Sequence, residues 1–121
     1  MSTYLGFYRA TEGYRTEGEV RARGGDTSPD PKFMQLVVDL PIRLPAGCNI
    51  IGSYGSLGGS PAGLPNVMIV ETDNLEHLAF ISNYYSGFLD FQWTPARSVG
   101  SNKDQREQWR QAVQAPLATQ R

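Results

Sequence analysis

The chain predicts an α+β fold in which a four-stranded antiparallel sheet carries two amphipathic helices on one face. Stretches rich in β-formers and stretches with helical periodicity follow one another as strand, helix, strand, strand, helix, strand. That order is the split β-α-β unit of a ferredoxin-like arrangement. Right-handed crossovers then place both helices on the same side of the sheet. The 121 residues suit one domain with its own core.

The first strand is expected at Tyr4 to Arg9, "YLGFYR". Residues 11 to 30 mix glycine, charge and proline without a period, which predicts a long surface loop or a lid over a pocket. Tyr14 is its one aromatic residue, and Arg15, Arg21 and Arg23 are its potential anion contacts. Asp30 caps the first helix and Pro31 suits its first turn. Its wide apolar arc, Phe33, Met34, Leu36, Val37, Val38 and Leu40, predicts burial on a sheet, and Pro41 predicts an end or kink at Leu40. Strands follow at residues 48 to 54 and 66 to 72, joined by the glycine-rich hairpin loop "GSLGGSPAGLP". That loop lacks the Lys-Ser/Thr ending and following helix of a phosphate cradle.

Asp73 is the expected cap of the second helix, with Glu76 completing a capping box. Leu75, Leu78, Ala79, Ile81, Ser82, Tyr85 and Phe88 form its inward arc, and Gly87 can end it. In "FLDFQWTP", Leu89, Phe91 and Trp93 alternate with Asp90, Gln92 and Thr94, as in a strand with one buried face. Residues 1–97 thus form the domain, and 98–121 a partly helical extension capped at Ser101 or Asn102, with Trp109, Ala112 and Val113 on one side. The sheet face away from the helices is left bare, and a second copy of the chain would cover it as a homodimer.

Net charge is −1, with no run of either sign, which argues against a nucleic-acid partner. Cys48 stands alone, so no internal disulfide forms. One cysteine and one histidine cannot supply the usual zinc ligands, so no metal or other cofactor is expected. No apolar run is long enough for a membrane span and the start does not resemble a secretory signal, so the expected location is cytoplasmic.

The segment "MIVETDNLEHLAFISNYYSGFLDFQWTPA" resembles a set of short bacterial proteins known only as a domain of unknown function. They belong to the dimeric α/β-barrel superfamily, and the resemblance spans about residues 4 to 97. It implies a homodimer with a ligand site between sheet and helices. The superfamily includes cofactor-independent monooxygenases, haem-degrading enzymes, lactone isomerases, polyketide cyclases and members without known activity. The haem-degrading pattern of Asn, Trp and a later His is not met: "YLGFYR" has no Asn, and His77 precedes Trp93. The twenty residues after strand one also exceed the usual short connection.

His77, the only histidine, falls about 20° from Tyr84 on the helical wheel. It is either a general acid or base working with Tyr84 or Trp93, or a half-exposed helix residue. Tyr8, Tyr54, Asp90, Gln92 and Trp93 are the candidate ligand-binding residues, with Asp90 and Gln92 alternatively at the dimer seam. Arg9 and Glu71, on strands expected to be adjacent, are a candidate ion pair. The leading reading is a homodimeric protein binding a small apolar or aromatic metabolite. The alternatives are a cofactor-independent monooxygenase, isomerase or cyclase, and a non-catalytic accessory subunit.

Overall fold

A computed structural model describes residues 1–56, 64–97 and 103–119, the last five by backbone only. The elements are β1 (Ser2–Ala10), α1 (Glu12–Arg23), α2 (Pro31–Arg43), β2 (Asn49–Tyr54), β3 (Asn66–Thr72), α3 (Glu76–Tyr84), β4 (Leu89–Ala96) and α4 (Lys103–Thr119). The four strands form one antiparallel sheet in the order β2-β3-β1-β4. The class is α+β, compatible with a ferredoxin-like arrangement. Most of the hairpin loop, and the cap candidates Ser101 and Asn102, lie outside the described residues.

Side chains alternate along a strand, and residues directly opposite one another share a face. The register therefore puts Tyr4, Gly6 and Tyr8 on the same face as Met68, Val70, Phe91 and Trp93. Both α2 and α3 cover that face: Leu40 from α2, and Leu78 and Ile81 from α3, join Met68 and Val70 in the core. The opposite face carries Leu5, Phe7, Val67 and Ile69 among polar residues at both ends. Arg9 stands opposite Asp90, and Glu71 opposite Thr3, so the expected pairing of Arg9 with Glu71 does not occur at this register.

The inner face is organised around a missing side chain. A Cβ on Gly6 would overlap the Trp93 ring, so the indole lies directly on the β1 backbone. From there Trp93 Nε1 donates to Ser82 Oγ at 2.8 Å, tying α3 to β4. Phe91 stacks nearly parallel on Trp93, with centroids 5.3 Å apart. Tyr8 and Tyr85 in turn stack on Phe91 at 5.1 and 5.9 Å. An aromatic row thus runs across the sheet from beneath α3 towards α2.

Three elements differ from expectation. The stretch 11–30 is not a structureless loop, because it contains α1. Thr11 caps that helix by accepting from the Tyr14 amide, Glu12 suits its first turn, Arg21 and Arg23 its last, and Gly24 ends it. No residue of α1 is buried, so local capping and charge signals take the place of an apolar stripe. Helix α2 does not end at Leu40 but runs to Arg43 through Pro41, and the Leu44 amide still donates to the Leu40 carbonyl. Helix α3 starts later than expected. Asn74 Oδ1 accepts from the Glu76 amide in place of an Asp73 cap, which leaves Leu75 in the preceding turn and 65% exposed.

Ile81 has no exposed surface, whereas Val38 on α2 is 63% exposed. Ile81→Ala is expected to cost about 3 kcal/mol in denaturant unfolding, and Val38→Ala less than about 0.5 kcal/mol. Similar losses for the two would contradict this division of the core.

Candidate functional site

Helix α3 approaches the sheet closely, while α2 stands off it. Leu40 is the only fully buried residue of α2. The gap beneath α2 is a cleft of about 950 Å³, near the upper end of the roughly 300–1,000 Å³ usual for small-molecule sites. Phe33, Val37, Leu40 and Pro41 of α2 form one wall, continued by the turn from Leu44 to Cys48. The floor is the sheet, through Tyr8, Ile50, Ser53 and Met68, with Tyr85 and Leu89 at the end of the aromatic row. Tyr14 of α1 closes one side, packed edge-on against Phe88 at 5.0 Å and tilted on Phe33 at 5.7 Å. No Asp, Glu, Lys, Arg or His among the described residues lines the cleft.

The polar side chains inside are uncharged: the Asn49 and Asn66 amides, the Ser53 and tyrosine hydroxyls and the Cys48 thiol. Tyr8 Oη and Ser53 Oγ lie 2.5 Å apart, one donating to the other. Tyr85 is only 3% exposed, its ring held by Phe33, Tyr84 and Phe91. Its hydroxyl has no hydrogen-bond partner among the described residues, yet no unpartnered side-chain oxygen there is sealed away. The Tyr85 hydroxyl therefore opens into the cleft. Burial, with Tyr84 and Tyr8 adding to it, pushes its pKa up to about 12, so at neutral pH it is a hydrogen-bond donor. Burial likewise pushes the Cys48 thiol up and keeps it a protonated wall residue. The Tyr14 phenol is raised by burial and by the neighbouring Asp30 carboxylate.

The residues singled out from the sequence do not converge. Of them, Tyr8 alone lines the cleft. Tyr54 is 60% exposed on the opposite sheet face. A β-bulge between Ile50 and Gly52 shifts the alternation by one, turning Ser53 inward and Tyr54 outward. Asp90 and Gln92 also lie on the opposite face, beside Phe7 and Arg9 in a second pocket of about 420 Å³. Trp93 is engaged with Gly6, Phe91 and Ser82 beneath α3. Tyr84 donates to the Leu36 carbonyl at 2.6 Å, joining α3 to α2 away from the cleft.

His77 Nδ1 lies 2.6 Å from Oγ1 of the fully buried Thr72, which also accepts from the Asn74 amide. These bonds join the end of β3 to the start of α3. A Cβ on Gly47, at the cleft rim, would be 3.9 Å from His77 Cε1, so the ring sits behind the rim without lining the cleft. Tyr85, Phe33, Ser53 and Leu44 were not singled out as site residues, since their helical or strand positions mark only core or turn.

Among the described residues no group of three potential metal-ligating side chains occurs, and no helix is long and apolar enough to cross a membrane. Comparison with protein-family models, curated proteins and solved structures returns no match.

The adjacent tyrosines should respond oppositely to losing their hydroxyls. Tyr84→Phe loses a hydrogen bond and is expected to destabilise the fold by about 1 kcal/mol, whereas Tyr85→Phe removes an unpartnered group and leaves stability unchanged or raised. Equal losses in thermal unfolding would contradict the assignment. The raised Tyr85 pKa also sets an alkaline limit. An unfolded chain releases this proton near its ordinary value of 10.0 and the folded chain only at about 12. Stability from this site is thus complete below pH 10 and falls as pH rises towards 12. Unfolding followed between pH 9 and 12 should show a smaller loss in Tyr85→Phe than in the parent chain.

Proposed function

We propose that the chain is a small-molecule-binding protein that holds an apolar or aromatic compound in the cleft between the sheet and α2. The observation that carries this reading is the Tyr85 hydroxyl, held by a 97% buried residue, unpartnered, and opening into an apolar cleft of ligand size. That hydroxyl is open to the cleft, where a bound ligand or a water meets it. The catalytic alternative has less support, because His77, Tyr84 and Trp93 are engaged with Thr72, Leu36 and Ser82 and none lines the cleft.

A homodimer is the second part of the proposal. Leu5, Phe7, Val67 and Ile69 form a continuous apolar patch on the sheet face that neither α2 nor α3 covers, flanked by the exposed Tyr54. A second copy laid on this face would remove the patch from water. That arrangement would agree with the resemblance to the dimeric α/β-barrel superfamily and with strand order β2-β3-β1-β4.

Nile red, a neutral solvent-sensitive dye, tests the cleft. Its fluorescence should shift to the blue with the parent chain and lose that shift with Val37→Trp, which fills the cleft from its α2 wall. Equal shifts in both proteins would place binding elsewhere. Sedimentation tests the dimer, with an expected mass of about 27 kDa for chains of 13.4 kDa and a return to one chain in Phe7→Glu. A parent chain that is monomeric at micromolar concentration would overturn the dimer and leave the cleft reading standing.

A further inference from the structure

The lining of the cleft says what kind of compound it takes, granted that the cleft is the ligand site. We infer that the ligand is an uncharged aromatic carbonyl compound whose oxygen accepts a hydrogen bond from the Tyr85 hydroxyl.

Charge is excluded by the walls. No acidic, basic or histidine side chain among the described residues lines the cleft, so a carboxylate, phosphate or ammonium would leave water without a counter-charge. An aromatic framework suits the walls, because Phe33, Tyr14 and Tyr85 present ring surfaces at angles allowing offset or edge-on contact with a flat ligand.

An acceptor suits the Tyr85 hydroxyl. Tyr85 offers an O–H with no acceptor among the described residues. The Tyr8 and Ser53 hydroxyls are bonded to each other, which leaves Tyr85 as the donor to the ligand. Tyr8 and Tyr85 both stack on Phe91, which fixes their rings relative to one another on the floor. A carbonyl oxygen accepts from the Tyr85 hydroxyl and brings no hydrogen of its own that would need an acceptor.

Three compounds of one skeleton separate these claims: 2-acetylnaphthalene, 2-isopropylnaphthalene without an acceptor, and the anion 2-naphthoate. Their dissociation constants are measured by nuclear magnetic resonance titration of the full chain, following resonances of Met68 and Leu40 in the cleft. 2-Acetylnaphthalene is expected to bind about ten-fold more tightly than either of the others. Tyr85→Phe should abolish its advantage over 2-isopropylnaphthalene while leaving the constant of the latter unchanged, and Tyr84→Phe, outside the cleft, should preserve that advantage. Naphthoate binding as tightly as the ketone, or an unchanged preference in Tyr85→Phe, would overturn this inference alone. If none of the three perturbs the cleft resonances, the cleft reading falls and this inference with it. Tyr85→Phe has no protein hydrogen bond to lose, and its thermal unfolding shows whether it folds as the parent does.

Discussion

The seat of Trp93 on Gly6 is the constraint on which the inner face of the sheet depends. Glycine leaves space that any other residue would fill with a Cβ, and the indole occupies that space against the backbone. Trp93 is thereby low enough for its Nε1 to reach Ser82, which brings α3 down onto β4. Its ring also sets the plane on which Phe91 stacks, and Phe91 sets the positions of Tyr8 and Tyr85.

One half of the face is closed as a result and the other half is left open. Beneath α3, Val70 and Ile81 are sealed from water and Thr72 spends its hydroxyl on Asn74 and His77. Beneath α2 the apolar side chains line the gap without filling it. The Tyr84 bond to Leu36 and the burial of Leu40 hold α2 to α3 and the core. A small globular core rarely leaves so large an apolar gap. The proposed ligand would fill that gap and accept from the Tyr85 hydroxyl.

Much of this was legible in the residues. The strict alternation of Leu89, Phe91 and Trp93 marks the inner face of β4, and Asp30-Pro31 marks the start of α2. Helix α1 was not, because periodicity finds a helix by its apolar stripe, and this one has only Tyr14, Val20 and Ala22 to offer. Its Thr11 cap, its basic last turn and the Gly24-Gly25 stop were the available signals. The site was less legible still. A single bulge in β2 exchanges Ser53 for Tyr54 in the cleft, and Gly52 inside "NIIGSY" is its one trace in the sequence. Tyr84 and Tyr85 are neighbours on one helix, and only the distance between α2 and the sheet decides that Tyr85 meets the gap. That distance is a tertiary property.

The account rests on the contact between Trp93 and Gly6, and a double-mutant cycle measures it most directly. Gly6→Ala is introduced into the parent chain and into Trp93→Leu, and unfolding free energies are compared. If the indole occupies the place of the missing side chain, the alanine is costly beside Trp93 and much cheaper beside leucine, with a coupling of at least about 1 kcal/mol. Equal cost in both backgrounds would mean that the indole does not sit on Gly6, and the aromatic row that ends at the cleft would lose its foundation.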